Sequence, residues 1–257
     1  MRNGVDGNGQ PALVQSVDRA LAMLAVLADR GNAGVTELGA ELGVHKSTAS
    51  RLLATLEAHG LVEQLGERGT YRLGFGLVRL AGASAAQLDL TRLGREACER
   101  LAAEFDETVN LAVLDGDSAV NISQVHGSAS VGVLNWVGRR TPLHATSSGK
   151  VLLAFGPAAA RRALSSAPLE RYTPATISDA AVLDRVLAEV RTRGWAATEG
   201  ELELGLNAVA APVCAPDGGL VAALSVSAPS YRLPADRFAA VAERLCVVAT
   251  GTGRQLG

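Results

Sequence analysis

The sequence predicts an α+β protein built in two parts, and three observations carry that expectation. Apolar residues recur at three- and four-residue spacing through the first sixty positions. A short alternating hairpin follows. From Thr108 onward alternating segments return, interleaved with further helical ones. Hairpins grouped with helices, rather than a strict strand–helix alternation, point to an antiparallel sheet with helices packed on it.

Composition bounds the class. At 257 residues the chain is long enough for two ordinary domains. With 48% hydrophobic and 19% charged residues it has material for a packed core. No apolar run is long enough to cross a bilayer. The opening "MRNGVDGNGQPA" lacks the basic start and apolar block of a secretory leader. A cytoplasmic location without a membrane partner is therefore expected, with residues 1–13 as a loose tail. Cys98, Cys214 and Cys246 are far apart and form no C-x-x-C pair, so they read as small buried residues. His45, His59, His126 and His144 show no metal-ligand spacing, and no metal or cofactor is expected. Net charge is −2, and residues 1–88 carry eight basic and eight acidic side chains. A globally basic surface is absent, so a nucleic-acid face would have to come from local sorting of charge.

From Val14 to Arg30, Val17, Leu21, Leu24 and Leu27 fall at helical spacing, and "GNAG" (31–34) ends the helix. Thr36 is the expected N-cap of a short second helix with Leu38 and Leu42 inward, broken by Gly43. A third helix is expected from Lys46 to Ala58. At roughly 100° per residue, Ala49, Leu52, Leu53 and Leu56 share one arc, while Ser47, Ser50, Arg51 and Ala54 lie opposite, with Lys46 and Thr48 at the margins. Hydroxyls can donate to phosphates, and Arg can reach a phosphate or a guanine edge. His45, just before the helix, is placed to meet phosphate as well. His59 and Gly60 stop the helix. Leu61–Leu65 and Thr70–Leu73 then alternate as two strands around "GERG", with Arg68 at the tip. Helix–turn–helix plus hairpin makes a winged helix, whose third helix enters the major groove. Residues 14–74 are thus expected to bind double-stranded DNA through His45, Lys46, Ser47, Thr48, Ser50, Arg51 and Arg68.

Residues 75–90 read as a linker helix. Leu77, Leu80, Ala81, Ser84 and Leu88 form one stripe of small and apolar residues. It can serve a dimer contact or pack on its own domain; the spacing does not separate the two. Residues 91–257 form the second part. Helices are expected at Thr91–Phe105, Thr146–Phe155, Asp179–Gly194 and Pro234–Thr250. Hairpins are expected over 108–127 and 207–229, with strand and loop in "SVGVLNWVGRRTPLH".

Two polar sites stand out in that second part. In "TPLHATSSGKVLLA" (141–154), Thr146, Ser147 and Ser148 open a helix, where free N–H groups and hydroxyls can seat a carboxylate. A plain N-cap explains them equally. "SSGK" matches S-x-x-K, but the S-D-N and K-T-G partners are missing. A phosphate loop fails because His144 replaces its first glycine and Val151 its last hydroxyl. Ser225 and Ser227 share one face of a strand whose Leu224 and Val226 point the other way. "TEGELELG" concentrates Glu199, Glu201 and Glu203 and reads as a solvated loop.

From about Val14 to Leu245 the chain resembles the IclR family of bacterial transcription regulators. "QSVDRALAML", "HKSTASRLLATLEAHGLV" and "YRLG" resemble its winged-helix domain. "TPLHATSSGKVLLA", "RGWAATEGELELGLNAVAAPV" and "ALSVSAPSYRL" are similar to its effector-binding domain. The resemblance implies a GAF-like effector domain binding a small organic acid or ureide, such as glyoxylate or allantoin. The implied ligand positions are Leu143, Ser147, Ser148, Gly149, Leu206, Ala208, Ser225 and Ser227. It also implies a homodimer or tetramer on a DNA operator, acting as a repressor, with activation as the alternative. Ser147 and Ser148 replace the Gly or Ala often seen there, making this pocket more polar, and Gly39 replaces an Ala in the second helix. Two other readings compete with this one: a sensor acting through protein partners, and an enzyme with a helical appendage. For the enzyme no nucleophile with an oriented base can be assembled.

Overall fold

A computed structural model describes residues 14–66, 69–82, 85–128, 135–165 and 168–256; the side chains of residues 81, 82, 85–88 and 165 fall outside that description. The expected tail and Arg68 lie outside it too. The chain divides into two compact units, with the boundary between Ala85 and Ala86.

The first unit contains α1 (Gln15–Arg30), β1 (Ala33–Gly34), α2 (Val35–Glu41), α3 (Lys46–Ala58), β2 (Val62–Leu65), β3 (Thr70–Leu73) and α4 (Gly76–Gly82). Its strands form an antiparallel sheet in the order β1-β3-β2. Its core gathers Met23 and Leu27 from α1, Leu38 from α2, Ala49, Leu53 and Leu56 from α3, and Val62 and Tyr71 from the sheet. Helical spacing in α1 is as expected, but the inward face is turned. Leu27 of the expected stripe is buried, but Val17 is 55% exposed and Leu21 60%, because Met23 joins Leu27 in the core instead. The cap of α2 also differs. Gly34 ends β1 in an extended conformation and its N–H donates to Glu37 Oε2 at 2.8 Å, which leaves Thr36 inside the helix. Gly39 serves the turn between α2 and α3: a Cβ there would lie 3.1 Å from the Val44 carbonyl oxygen.

The second unit contains α5 (Ala85–Phe105), β4 (Thr108–Asp115), β5 (Ser118–Val125), β6 (Arg140–Pro142), α6 (Ser147–Phe155), α7 (Ala158–Ser165), α8 (Ala180–Arg193), β7 (Ala196–Glu199), β8 (Leu206–Cys214), β9 (Leu220–Pro229) and α9 (Phe238–Gly253). The expected division at residue 90/91 is not a break, since α5 runs through it. Its buried stripe carries across that position, with Leu90 and Leu93 buried along with Ala97 and Leu101 further down the helix.

Six antiparallel strands lie in the order β6-β5-β4-β9-β8-β7. Alternation gives the sheet two unlike faces. One carries Val109, Leu111, Val209, Leu224 and Val226, buried in a core with Cys98 and Leu101 of α5 and Val241 and Leu245 of α9. Arg244 on α9 holds Glu104 on α5 with two hydrogen bonds, at 2.7 and 2.9 Å. The other face is lined with small residues. Ala112, Ala119, Ala196, Ala210 and Ala223 pack in a core with Val151 and Leu152 of α6 and Leu183, Leu187 and Val190 of α8. Alanine there lets α6 approach the sheet, and polar residues on the same face then meet the start of α6. Asp179 caps α8 by accepting from the Val182 N–H at 2.8 Å.

Candidate functional site

Helix α3 presents a polar face to solvent. Its inner side is fixed by Ala49, Leu53 and Leu56, and this turns Lys46, Ser47, Ser50, Arg51 and Ala54 outward, all exposed, with Thr48 half-buried. His45 is the N-cap of α3: Nδ1 accepts from the Ser47 N–H at 3.4 Å and pairs with Ser47 Oγ at 2.9 Å. One ring nitrogen of His45 is thus engaged in capping, which fixes the ring at the helix start. In the wing, Arg72 on β3 pairs with Glu63 directly across on β2, removing one basic group from the local charge.

A cavity of about 80 Å³ lies in the second unit, between the start of α6 and the small-residue face of the sheet. Thr146, Ser147 and Ser148 wall it on the helix side, and Asn110 (β4), Asn121 (β5), Ser225 and Ser227 (β9) on the sheet side. Trp136, Thr198, Leu202, Glu203, Leu206 and Ala208 close the remainder, with Thr141 and Ala145. Ser148 Oγ donates to Ser225 Oγ at 3.1 Å, so the two polar sites meet across 77 residues of sequence. Thr146 caps α6 by accepting from the Gly149 N–H at 3.1 Å, and its own hydroxyl donates to the Pro142 carbonyl at 2.8 Å. The first N–H groups of a helix have no intrahelical acceptor, so the end of α6 at the cavity favours an acceptor or anion. Among the described lining residues there is no Lys or Arg, and Glu203 is the one charged side chain.

Beside the cavity, Lys150 and Glu201 form a buried ion pair, with Nζ 2.5 Å from Oε1. Burial pushes the Lys150 ammonium below its ordinary value and the Glu201 carboxyl above its own, and each is partly offset by the other's charge. Thr173 Oγ1 donates to the Gly200 carbonyl at 2.7 Å and Thr176 Oγ1 to the Glu201 carbonyl at 2.6 Å. These bonds fix the segment that carries Leu202, Glu203 and Leu206 into the cavity wall. The solvated-loop reading of this segment therefore fails at Glu201, which is 8% exposed. Its partner is far away in sequence, so composition alone gave no sign of it.

Of the eight ligand positions expected, Ser147, Ser148, Leu206, Ala208, Ser225 and Ser227 line the cavity. Leu143 does not; it is wholly buried in the core beneath α6. Gly149 does not either. A Cβ there would stand 2.3 Å from the Leu143 carbonyl oxygen, so its role is to let α6 close on the preceding loop. The sequence does not single out Asn110, Asn121 or Trp136, and it presents Glu203 only as part of a solvated loop. For Asn110 the signal existed: an amide inside the otherwise apolar strand "TVNLAVL".

Residues 16–66 match the family profile described as the IclR helix-turn-helix domain. Residues 82–251 match the profile described as bacterial transcriptional regulator IclR C-terminal. The chain belongs to the IclR family. Its IclR relatives span nearly its whole length. It is 33% identical over 247 residues to the HTH-type transcriptional regulator XynR of Escherichia coli strain K12, across 95% of this chain and 98% of that one. It is 34% identical over 261 residues to the HTH-type transcriptional repressor AllR of Klebsiella pneumoniae, across 100% and 96%. Among solved structures, an IclR homologue from Microbacterium hydrocarbonoxydans complexed with 4-hydroxybenzoate is similar with a TM-score of 0.82 at 30% identity, covering 95% of this chain and 99% of that one. The IclR chain is therefore a DNA-binding transcription regulator with an effector-binding domain, and not an enzyme. Among the described residues no helix is long and apolar enough to cross a membrane, and no cluster of His, Cys, Asp or Glu could hold a metal ion.

Proposed function

We propose that this IclR-family chain is a cytoplasmic repressor that releases or retains its operator according to a small organic acid or ureide bound in the α6–β9 cavity. The observation that carries the reading is the outward face of α3. Lys46, Ser47, Ser50 and Arg51 stand exposed over a buried apolar side, as a major-groove helix requires. Arg51 reads a base edge or a phosphate, while His45, Lys46, Thr48 and Arg68 hold backbone. The repressor named among the relatives and the 4-hydroxybenzoate complex of a homologue support the direction of control and the class of ligand.

The protein acts as a homodimer or tetramer. Exposed Val14, Val17 and Leu21 on and before α1, and Phe75, Val78 and Leu80 around α4, are apolar surface of the kind that partners cover. Ligand binding alters DNA affinity only through differential affinity for two arrangements of the assembly. Residues 75–90 are the proposed transmitter. Gel shifts with the upstream region of the gene itself, over a salt series with and without candidate effectors, test the reading. Absence of specific binding throughout would reject it. Ligand-responsive binding retained after residues 75–90 are exchanged for a flexible Gly/Ser segment would reject the transmitter.

A further inference from the structure

Among the described residues that line the cavity, Asn110 is the one with a fully buried side-chain oxygen left without a hydrogen-bond partner. It sits on β4 between Val109 and Leu111, both wholly buried in the opposite core. Its side chain turns to the other face, beside Ala112. The residue is 8% exposed, and its Oδ1 is buried without a hydrogen-bond partner. Its register neighbour Ser225 already has one, accepting from Ser148. Buried polar atoms in folded proteins are satisfied by protein, by water or by a ligand. Asn110 is in the wall of the cavity, and a group placed against this oxygen would have to donate.

Charge at the site agrees. The described lining offers no cation, and its one charge, Glu203, is negative. A carboxylate turned toward Asn110 Oδ1 and Glu203 would set acceptor against acceptor. Turned toward the start of α6, it meets the N–H groups of the first helical turn instead. The cavity's 80 Å³ takes roughly five to eight water-sized groups. That is enough for a molecule with two distinct ends.

We infer that the effector is two-ended, with an acceptor or anionic group at the start of α6 and an O–H or N–H donor delivered to Asn110 Oδ1. Hydroxy acids and ureides meet that description, and carboxylates lacking a donor do not. The inference rests on the cavity being the effector site, and it narrows the ligand class within that reading.

Matched probes test it on the full chain by melting temperature and calorimetry: lactate against propanoate, glycolate against acetate, and allantoin as the uncharged ureide. The donor-bearing member of a pair is expected to bind roughly tenfold tighter, the worth of one good hydrogen bond. Hydroxy acids and ureides are separated by which arm responds. Asn110→Leu is expected to reduce that preference to within about twofold. It should also keep or raise the melting temperature without ligand, because it removes an unpaired buried acceptor. Asn110→Ala, which leaves a smaller side chain, should lose the preference in the same way. Propanoate and acetate binding as tightly as their hydroxylated partners would overturn the inference. So would a preference that survives both substitutions. If no probe binds, the unliganded protein decides: a lower melting temperature in Asn110→Leu means the amide was already satisfied, and the inference fails. A DNA affinity that no small molecule alters would instead remove the sensor reading itself.

Discussion

Lys150 Nζ lies 2.5 Å from Glu201 Oε1, joining α6 to the segment before β8 across 51 residues of sequence, with both side chains nearly excluded from solvent. Breaking a buried pair from one side strands a charge. Lys150→Met is therefore expected to lose about 3–5 kcal/mol of stability, whereas Lys150→Met with Glu201→Leu should recover most of it. Urea unfolding of the wild type, the two single variants and the double variant measures the coupling. Simple additivity of the two single effects would show that the pair is not coupled.

The pH dependence of that loss has a definite sign. Burial raises the Glu201 carboxyl, so the folded chain takes up a proton there before the unfolded chain does. Protonation then favours the folded state as pH falls through the raised value, and this contribution is lost as pH rises through it. With Lys150 replaced, the opposing cation is gone. The deficit of Lys150→Met should be largest near pH 8 and shrink toward about pH 5. Arg193 also acts on Lys150 and His144 on Glu201, so the series is best repeated in a His144→Gln background. A deficit flat across pH would mean that Glu201 stays solvated in the variant.

Gly149 is packed without room for a side chain, its position for Cβ lying 2.3 Å from the Leu143 carbonyl oxygen and 2.6 Å from Thr146 Oγ1. Alanine would normally favour a helix. Here Gly149→Ala is expected to destabilise by about 1–3 kcal/mol, since backbone must shift to admit the methyl. It should also disturb the Thr146 cap that ends at the cavity. A melting temperature at or above wild type would show that α6 moves away freely.

Arg51 is exposed on the outer side of α3. If it reads a base, Arg51→Ala weakens specific binding by about 1–3 kcal/mol and relaxes sequence preference at one position. If it meets only phosphate, affinity falls evenly over all sequences and the salt slope drops by about one. Titrations against operator and scrambled duplexes at several salt concentrations distinguish these outcomes, and unchanged affinity removes Arg51 from the interface.

Val17 and Leu21 are four apart on α1 and more than half exposed. Introducing charge there, as Val17→Lys with Leu21→Glu, should leave the domain folded, because the core positions are Met23 and Leu27. It should shift the assembly toward monomer in sedimentation if this face is covered by a second copy. An unchanged sedimentation coefficient would place the interface elsewhere.

Much of the fold was legible because it is written in local periodicity. The third helix could be read from Lys46 to Ala58 with its exposed side assigned. The hairpin strands Val62–Leu65 and Thr70–Leu73 and the pairs around Asp115 and Asp217 were marked by turn residues between alternating runs. Where two faces were both apolar, periodicity could not choose. Val17 and Leu21 share a spacing with Leu27, and only packing with α3 and the sheet buries Leu27 together with Met23 and leaves the other two exposed. Short elements with little pattern, β1 and β7, were missed because two to four residues carry too little alternation to register.

The sequence by itself determined the helix-and-hairpin order, the polar outer side of α3, the common face of Ser225 and Ser227 and, through its motifs, the family. These follow from neighbours a few residues apart, whose relative directions the helix and strand periods set. Only the tertiary structure decided that Ser148 meets Ser225, that Asn110 Oδ1 is left without a donor in the same wall, and that Glu201 is buried against Lys150. Those relations join residues many positions apart. They depend on a sheet whose alanine face lets α6 come close, which no local period encodes.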